Sequence, residues 1–200
     1  MCLNYASVLV NDRDEPVLRP DGTIICCEGI RHLGHGVYYL NKGGEYHHAL
    51  VDERGRFFVH EWHERYRLLT HQLVAIPYLQ GEDEYHYAVQ NAAQIVALTP
   101  PARLYDKVQC VPGAVLVRDA ESGLSTLLAA EAEPVRNEAG QECWFLTYFF
   151  VPQQKNPNHK DLVAVLDGVS YRFQAQRFVM SPQPGEYCLE TPVDNSRNIR

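Results

Sequence analysis

With 200 residues, 46% of them apolar and 22% charged, the chain is long enough to bury a substantial core and too apolar to be disordered. Its net charge of -7 disfavours nucleic acid as a partner, because phosphate contacts need a basic surface and the arginines are scattered. No apolar run reaches the roughly 18 residues of a membrane span and the start lacks a signal-peptide layout, so a cytoplasmic protein is expected.

The N-terminal part reads as short strands: Ala6 to Val10, Thr23 to Cys27 after the turn Pro20-Asp21-Gly22, and Val37 to Leu40 closed by Asn41-Lys42-Gly43-Gly44. The clearest hairpin signal follows, with Ala49-Leu50-Val51 and Arg56-Phe57-Phe58-Val59 flanking Asp52-Glu53-Arg54-Gly55. From Glu61 the apolar spacing of Trp62, Tyr66, Leu69, Leu73 and Ile76 predicts an amphipathic helix that Pro77 ends. A second helix is expected over about 82–98, burying Tyr85, Ala88, Val89, Ala92 and Val96 and stopped by Thr99-Pro100-Pro101.

Beyond Lys107 the pattern returns to strands, with turns at 120–123, 137–140 and Asp167-Gly168. The run Trp144 to Val151 does not alternate, which predicts a strand covered by apolar side chains on both faces. No internal repeat is read in the sequence. The expected fold is α+β: a predominantly antiparallel β-sheet with a central two-helix hairpin, about 61–98, packed on it. One domain over 1–190 and a polar tail over 191–200 complete the layout, the tail docking through Val193 and Ile199.

Eight of the nine histidines fall between His32 and His86. Imidazoles mixed with carboxylates are what a divalent transition metal would need, and the candidate ligands are His60, His63, Glu64, His71 and His86. The spacing of His60 and His63 is not that of HExxH. Six tyrosines share this window and Tyr87 adjoins it, and Tyr, His and Arg on one surface suit protein recognition. The candidate interaction residues are His60, His63, Arg67, His71 and Tyr87. Exposed histidines would also turn such a surface towards positive between about pH 7.5 and 5.5.

Cys2 would become an N-terminal nucleophile on removal of Met1, its own amine acting as base. The start is similar to the NRDE-motif family through Arg13-Asp14-Glu15 followed by Arg19-Pro20, over some twenty residues, with Asp12 where that family has asparagine. Gly34-His35-Gly36-Val37-Tyr38-Tyr39 resembles the GxGxYF element of ADP-ribosyltransferases, without that family's upstream histidine, and reads first as a glycine turn entering a strand. The six cysteines include adjacent Cys26 and Cys27 and lack a CxxC pair, and most are expected to be reduced and buried.

No catalytic constellation is complete. The reading that results is a non-enzymatic interaction or assembly subunit with a His/Tyr-rich surface, its partner a protein or another copy of itself. The alternatives are a metal-dependent enzyme on the central helices and an N-terminal-cysteine hydrolase.

Overall fold

The computed structural model describes residues 7–11, 13–42, 47–82, 84–111, 114–153, 160–166, 169–174 and 177–180. It divides into two compact units, Met1–Tyr105 with Ala130–Ala132, and Asp106–Ala129 with Glu133–Arg200. Cys2 and the tail 191–200 lie outside the described residues.

In the first unit the strands are β1 (Ser7–Val8), β2 (Cys26–Cys27), β3 (Gly29–Gly34), β4 (Val37–Asn41), β5 (His48–Asp52), β6 (Arg67–Leu68), β7 (Leu73–Leu79) and β8 (Tyr85–Asn91). They pair β1-β2, β3-β4-β5 and β6-β7-β8, all antiparallel. A short helix, α1 (Ala92–Val96), follows β8, started by an Asn91–Gln94 capping box. One core joins Val37, Tyr39 and Leu50 to Tyr66, Val74, Ile76 and Ala88. Another joins Leu9, Val17, Ile25 and Cys27 to Leu40, Ala49 and Val51.

The central helical hairpin is not there: residues 61–98 form β6, β7, β8 and α1, and the described residues contain no helix of seven or more residues. Two features overrode the helical spacing. The segment Leu73 to Pro77 is buried at every position, which a strand covered on both faces satisfies and an amphipathic helix does not. The stretch Gly81-Glu82 and Glu84, read as a helix start, lies in the hairpin loop, where Gln80 N–H bonds the Glu84 carbonyl at 2.9 Å. Tyrosine, valine and isoleucine on either side of that loop favour a pleated surface. Of the helix expected over about 82–98, only Ala92–Val96 are helical.

The second unit takes β10 (Ala114–Asp119), β11 (Ser125–Leu128), β12 (Thr147–Pro152), β13 (Lys160–Leu166), β14 (Val169–Gln174) and β15 (Arg177–Met180), with β9 (Tyr105–Val111) leading into it. β12-β13-β14-β15 form an antiparallel meander. Tyr148 and Phe150 pack on one cluster and Phe149 and Val151 on another, so β12 has apolar neighbours on both faces, but the strand expected over Trp144 to Val151 begins only at Thr147, with Phe145 paired to Ser125 and Leu146 77% exposed.

The structure contains a repeat that the sequence reading did not find. In residues 7–27, Ser7 pairs with Cys27, Val10 with Pro16 and Leu18 with Ile24. Shifted by 118 residues, Ser125 pairs with Phe145, Leu128 with Pro134 and Arg136 with Glu142. The supporting bonds match as well: Val17 N–H to Leu9 O and Val135 N–H to Leu127 O are both 2.8 Å. Asp14 and Ala132, at matching positions, both have left-handed φ, 59° and 63°. Each copy is a three-strand corner followed by an antiparallel meander, β3-β4-β5 in one case and β12-β13-β14-β15 in the other. The identities between 7–27 and 125–145 are confined to a serine, a leucine, Glu-Pro-Val and a glycine. They are spread over a span where fold is kept by alternation and turns rather than by residue identity.

Those turns are of one kind. Residues 11–15, 19–23, 52–56, 129–133 and 137–141 each close with the first N–H bonding the fifth carbonyl, at 2.8–2.9 Å. This is a hairpin turn whose fourth residue is left-handed. Asp52 and Asn137 stabilise theirs by accepting two backbone N–H groups on Oδ1. The hairpin expected at 49–59 is confirmed, with Val51 opposite Phe57. Cys27 and Cys143 are buried thiols, as expected, whereas Cys110 is exposed and Cys26 is disulfide-bonded.

Candidate functional site

The histidine-rich segment 53–66 connects β5 to β6 as an irregular loop tied down at both ends. His48 and His63 exchange backbone hydrogen bonds at 3.1 and 2.9 Å. Tyr66, 1% exposed, donates its hydroxyl to Phe58 O at 2.9 Å and accepts the His60 N–H at 3.2 Å. Burial pushes the Tyr66 phenol far above its usual range, so it stays a donor. Tyr39, raised by burial to about 12, donates to Tyr66 O at 3.4 Å.

His60 Nε2 lies 3.1 Å from Pro77 O. A carbonyl only accepts, so Nε2 carries the proton. The His60 and His63 rings are 5.0 Å apart, and His63 lies 5.3 Å from the ring of Tyr85. His63 Nδ1 accepts the Arg65 N–H at 3.0 Å, which requires its neutral form on that nitrogen. Burial first, and the positive charge available to His60 second, hold His63 below the usual imidazole range, against the pull of Glu64.

Two cation–aromatic stacks stand beside this pair. The Arg65 guanidinium lies 4.5 Å from the centre of the Tyr85 ring, and that of Arg67 lies 5.2 Å from Tyr87. Tyr85 and Tyr87 share one face of β8 by the two-residue period, while Ala88 on the other face enters the core with Ile76 and Val74. The stacks therefore lie on the sheet face away from that core. Glu64 is exposed and 3.6 Å from Arg65 Nε.

Of the metal candidates, the structure brings His60 and His63 together, with Glu64 next in sequence, and places the others elsewhere. His71 is exposed and its Nδ1 lies 3.1 Å from Arg31. His86 is paired with Tyr78 in the ladder and lies 3.5 Å from Glu84. His71 precedes Leu73, which is opposite Asn91, so five strand residues, about 17 Å, separate that end of the sheet from His86. Among the described residues no group of three or more His, Cys, Asp or Glu gathers as a metal site would.

Of the interaction candidates, Arg67 is exposed but Tyr87 is 6% exposed, covered by the Arg67 stack. Tyr85, expected on the buried face of a helix, stands instead on β8 under the Arg65 guanidinium, and Arg65 is not among the sequence candidates. The signal for Tyr85 is the triplet Tyr85-His86-Tyr87, whose period of two puts both tyrosines on one face of β8, while Arg65 lies in the loop just before β6. The Gly34-His35-Gly36 element is a left-handed turn, with φ of 96°, 51° and 70°, that leads into β4, as the simpler sequence reading has it.

No family model, no curated protein and no solved structure matches the chain. No described helix is long and apolar enough to cross a membrane.

Proposed function

We propose that the chain is a non-enzymatic interaction or assembly subunit that presents Arg65, Arg67, Tyr85 and the His60–His63 pair to a protein partner. The observation that supports this is the double stack of arginines on tyrosines. Each ring holds a guanidinium in place before binding, so a partner immobilises fewer rotatable groups when it docks. Arginine and tyrosine are also the side chains that most often anchor protein interfaces. The guanidinium edges left by stacking are donors suited to carboxylates or backbone carbonyls on the partner. Cytoplasmic residence is part of this reading, and the disulfide at Cys26 bears against it, since such bonds are rare in reducing compartments.

A photo-crosslinking residue placed at Glu64 identifies the partner, and titration calorimetry then compares variants. Tyr85→Ala and Arg65→Ala should each weaken binding about tenfold or more, with unchanged melting temperature. Unaltered affinity in both variants removes this surface from the interface. A stoichiometric transition metal in untagged protein, lost on His63→Ala, would sink the reading in favour of a metal-dependent enzyme.

A further inference from the structure

The two copies of the three-strand corner differ at one edge. In the second copy, residues 125–128 join the corner on one side, through Phe145 at Ser125 and Pro134 at Leu128. Their other side is occupied by β10, with Thr126 opposite Val117 and Leu128 opposite Val115. In the first copy the inner side is built the same way, through Cys27 at Ser7 and Pro16 at Val10. There, however, β1 and β2 make a sheet of two, and the outer edge of residues 7–10 carries no strand among the described residues.

Ladder alternation shows which groups face that edge. Leu9 N–H bonds Ile25 O, Leu9 O accepts from Val17, and Asn11 N–H bonds Glu15 O. Leu9 and Asn11 therefore point into the corner, and Val8 and Val10 turn their N–H and C=O groups outward. Native sheets usually blunt such an edge with a charge, a proline or a bulge. This one reads Ser7-Val8-Leu9-Val10. Val10 is 41% exposed where its counterpart Leu128 is 0%. Next in the corner, Leu18 and Ile24 are each 46% exposed, at the positions where the second copy carries Arg136 and Glu142 joined 3.3 Å apart. The chain thus uses a charged pair on one corner and leaves an apolar pair on the other.

We propose that a second copy of this chain adds its own strand 7–10 to this edge, antiparallel, with Val8 of each copy opposite Val10 of the other about a two-fold axis at Leu9. The register is self-complementary: every outward N–H meets an outward C=O, and the parity is that by which β10 already meets Thr126 and Leu128. It also brings the apolar faces of Val10, Leu18 and Ile24 from both copies side by side, reducing the exposed apolar patch. The site is separate from the arginine–tyrosine surface and does not depend on that reading.

Sedimentation equilibrium of the full chain at physiological salt should show a monomer–dimer equilibrium. Val10→Pro removes an outward N–H that makes no bond within the corner, and Val8→Lys with Val10→Lys places charge on the edge. Both should raise the dissociation constant about tenfold or more, while Tyr85→Ala leaves it unchanged. Hydrogen exchange on the wild type supplies a measurement independent of variant folding, with protection of the Val8 and Val10 amides rising with protein concentration. A monomer at all concentrations, a dimer indifferent to both edge variants, or exchange at Val8 and Val10 that ignores concentration each overturns the proposal. Self-association lost in Tyr85→Ala but kept in the edge variants would assign it to the other surface and overturn it equally.

Discussion

His60 donates from Nε2 to the carbonyl of Pro77 over 3.1 Å, and this contact explains how a proline stands inside a buried strand. Within a strand, the nitrogen and carbonyl of one residue face the same edge. β6 covers that edge of β7 only at Val74 and Ala75. At Pro77 the edge is past the end of β6, so the missing N–H deprives no neighbouring strand, and the buried carbonyl is met by imidazole instead. Replacing His60 with alanine should leave that oxygen unsatisfied and cost about 1–3 kcal/mol. Thermal unfolding at pH 7.5 checks it, and a variant as stable as the wild type would show that the imidazole contributes nothing there.

Tyr66 meets the Phe58 carbonyl and the His60 N–H through its hydroxyl and accepts the Tyr39 hydroxyl on its own carbonyl, holding the 53–66 loop against the strands. Tyr66→Phe keeps the ring in its core and strands the Phe58 carbonyl and the His60 N–H. The loss should be about 1–3 kcal/mol, with faster amide exchange at His60. If exchange at His60 were unaltered in the phenylalanine variant, the hydroxyl would not be what orders the loop.

His63 supplies a pH dependence of known sign. Its folded pKa lies below the ordinary imidazole value of 6.5 because of burial, then because of His60. As pH falls through 6.5 the unfolded chain binds a proton that the folded chain resists, so stability declines from there down to the depressed folded value and is fully retained above 6.5. Lowering pH from 7.5 towards 5 should therefore lower the melting temperature, and His63→Gln should flatten part of that decline. Parallel curves for variant and wild type would mean that other groups carry the dependence.

How much of this was legible in the sequence follows from which signals are local. Turn chemistry is local: Asp52 to Gly55 and Asn137 to Gly140 declare their turns by side-chain capping and a left-handed fourth residue, and both were read correctly. The helical spacing of Trp62, Tyr66, Leu69, Leu73 and Ile76 misled because Leu73 to Pro77 is a strand flanked by β6 and β8, with Val74 and Ile76 entering the core, and no window around those residues contains these partners. The repeat was hidden for a related reason. Equivalent positions such as Leu18 and Arg136, or Ile24 and Glu142, share a place in a ladder but differ in what lies outside it. The arginine–tyrosine stacks needed β6 and β8 to flank β7, so Arg65 and Tyr85, twenty positions apart, could be joined only by the sheet.

Gly55 and Gly140 occupy the same position in the same kind of turn, with φ of 77° and 79°, and they make a controlled comparison. A methyl group on Gly140 would meet nothing within 4 Å, whereas on Gly55 it would lie 2.1 Å from the Leu18 carbonyl oxygen and 3.2 Å from Val17 Cγ1. Both alanine variants bear the left-handed penalty of about 1–2 kcal/mol. Only Gly55→Ala must also push the 52–56 turn away from backbone of the first corner, and backbone cannot turn aside as a side chain can. Its cost should exceed that of Gly140→Ala by about 2 kcal/mol or more, the scale of overpacking a filled site. Urea unfolding of the two variants measures the difference. Equal losses would mean that the 52–56 turn is not held against Leu18, and would remove the contact by which this hairpin is seated on the N-terminal corner.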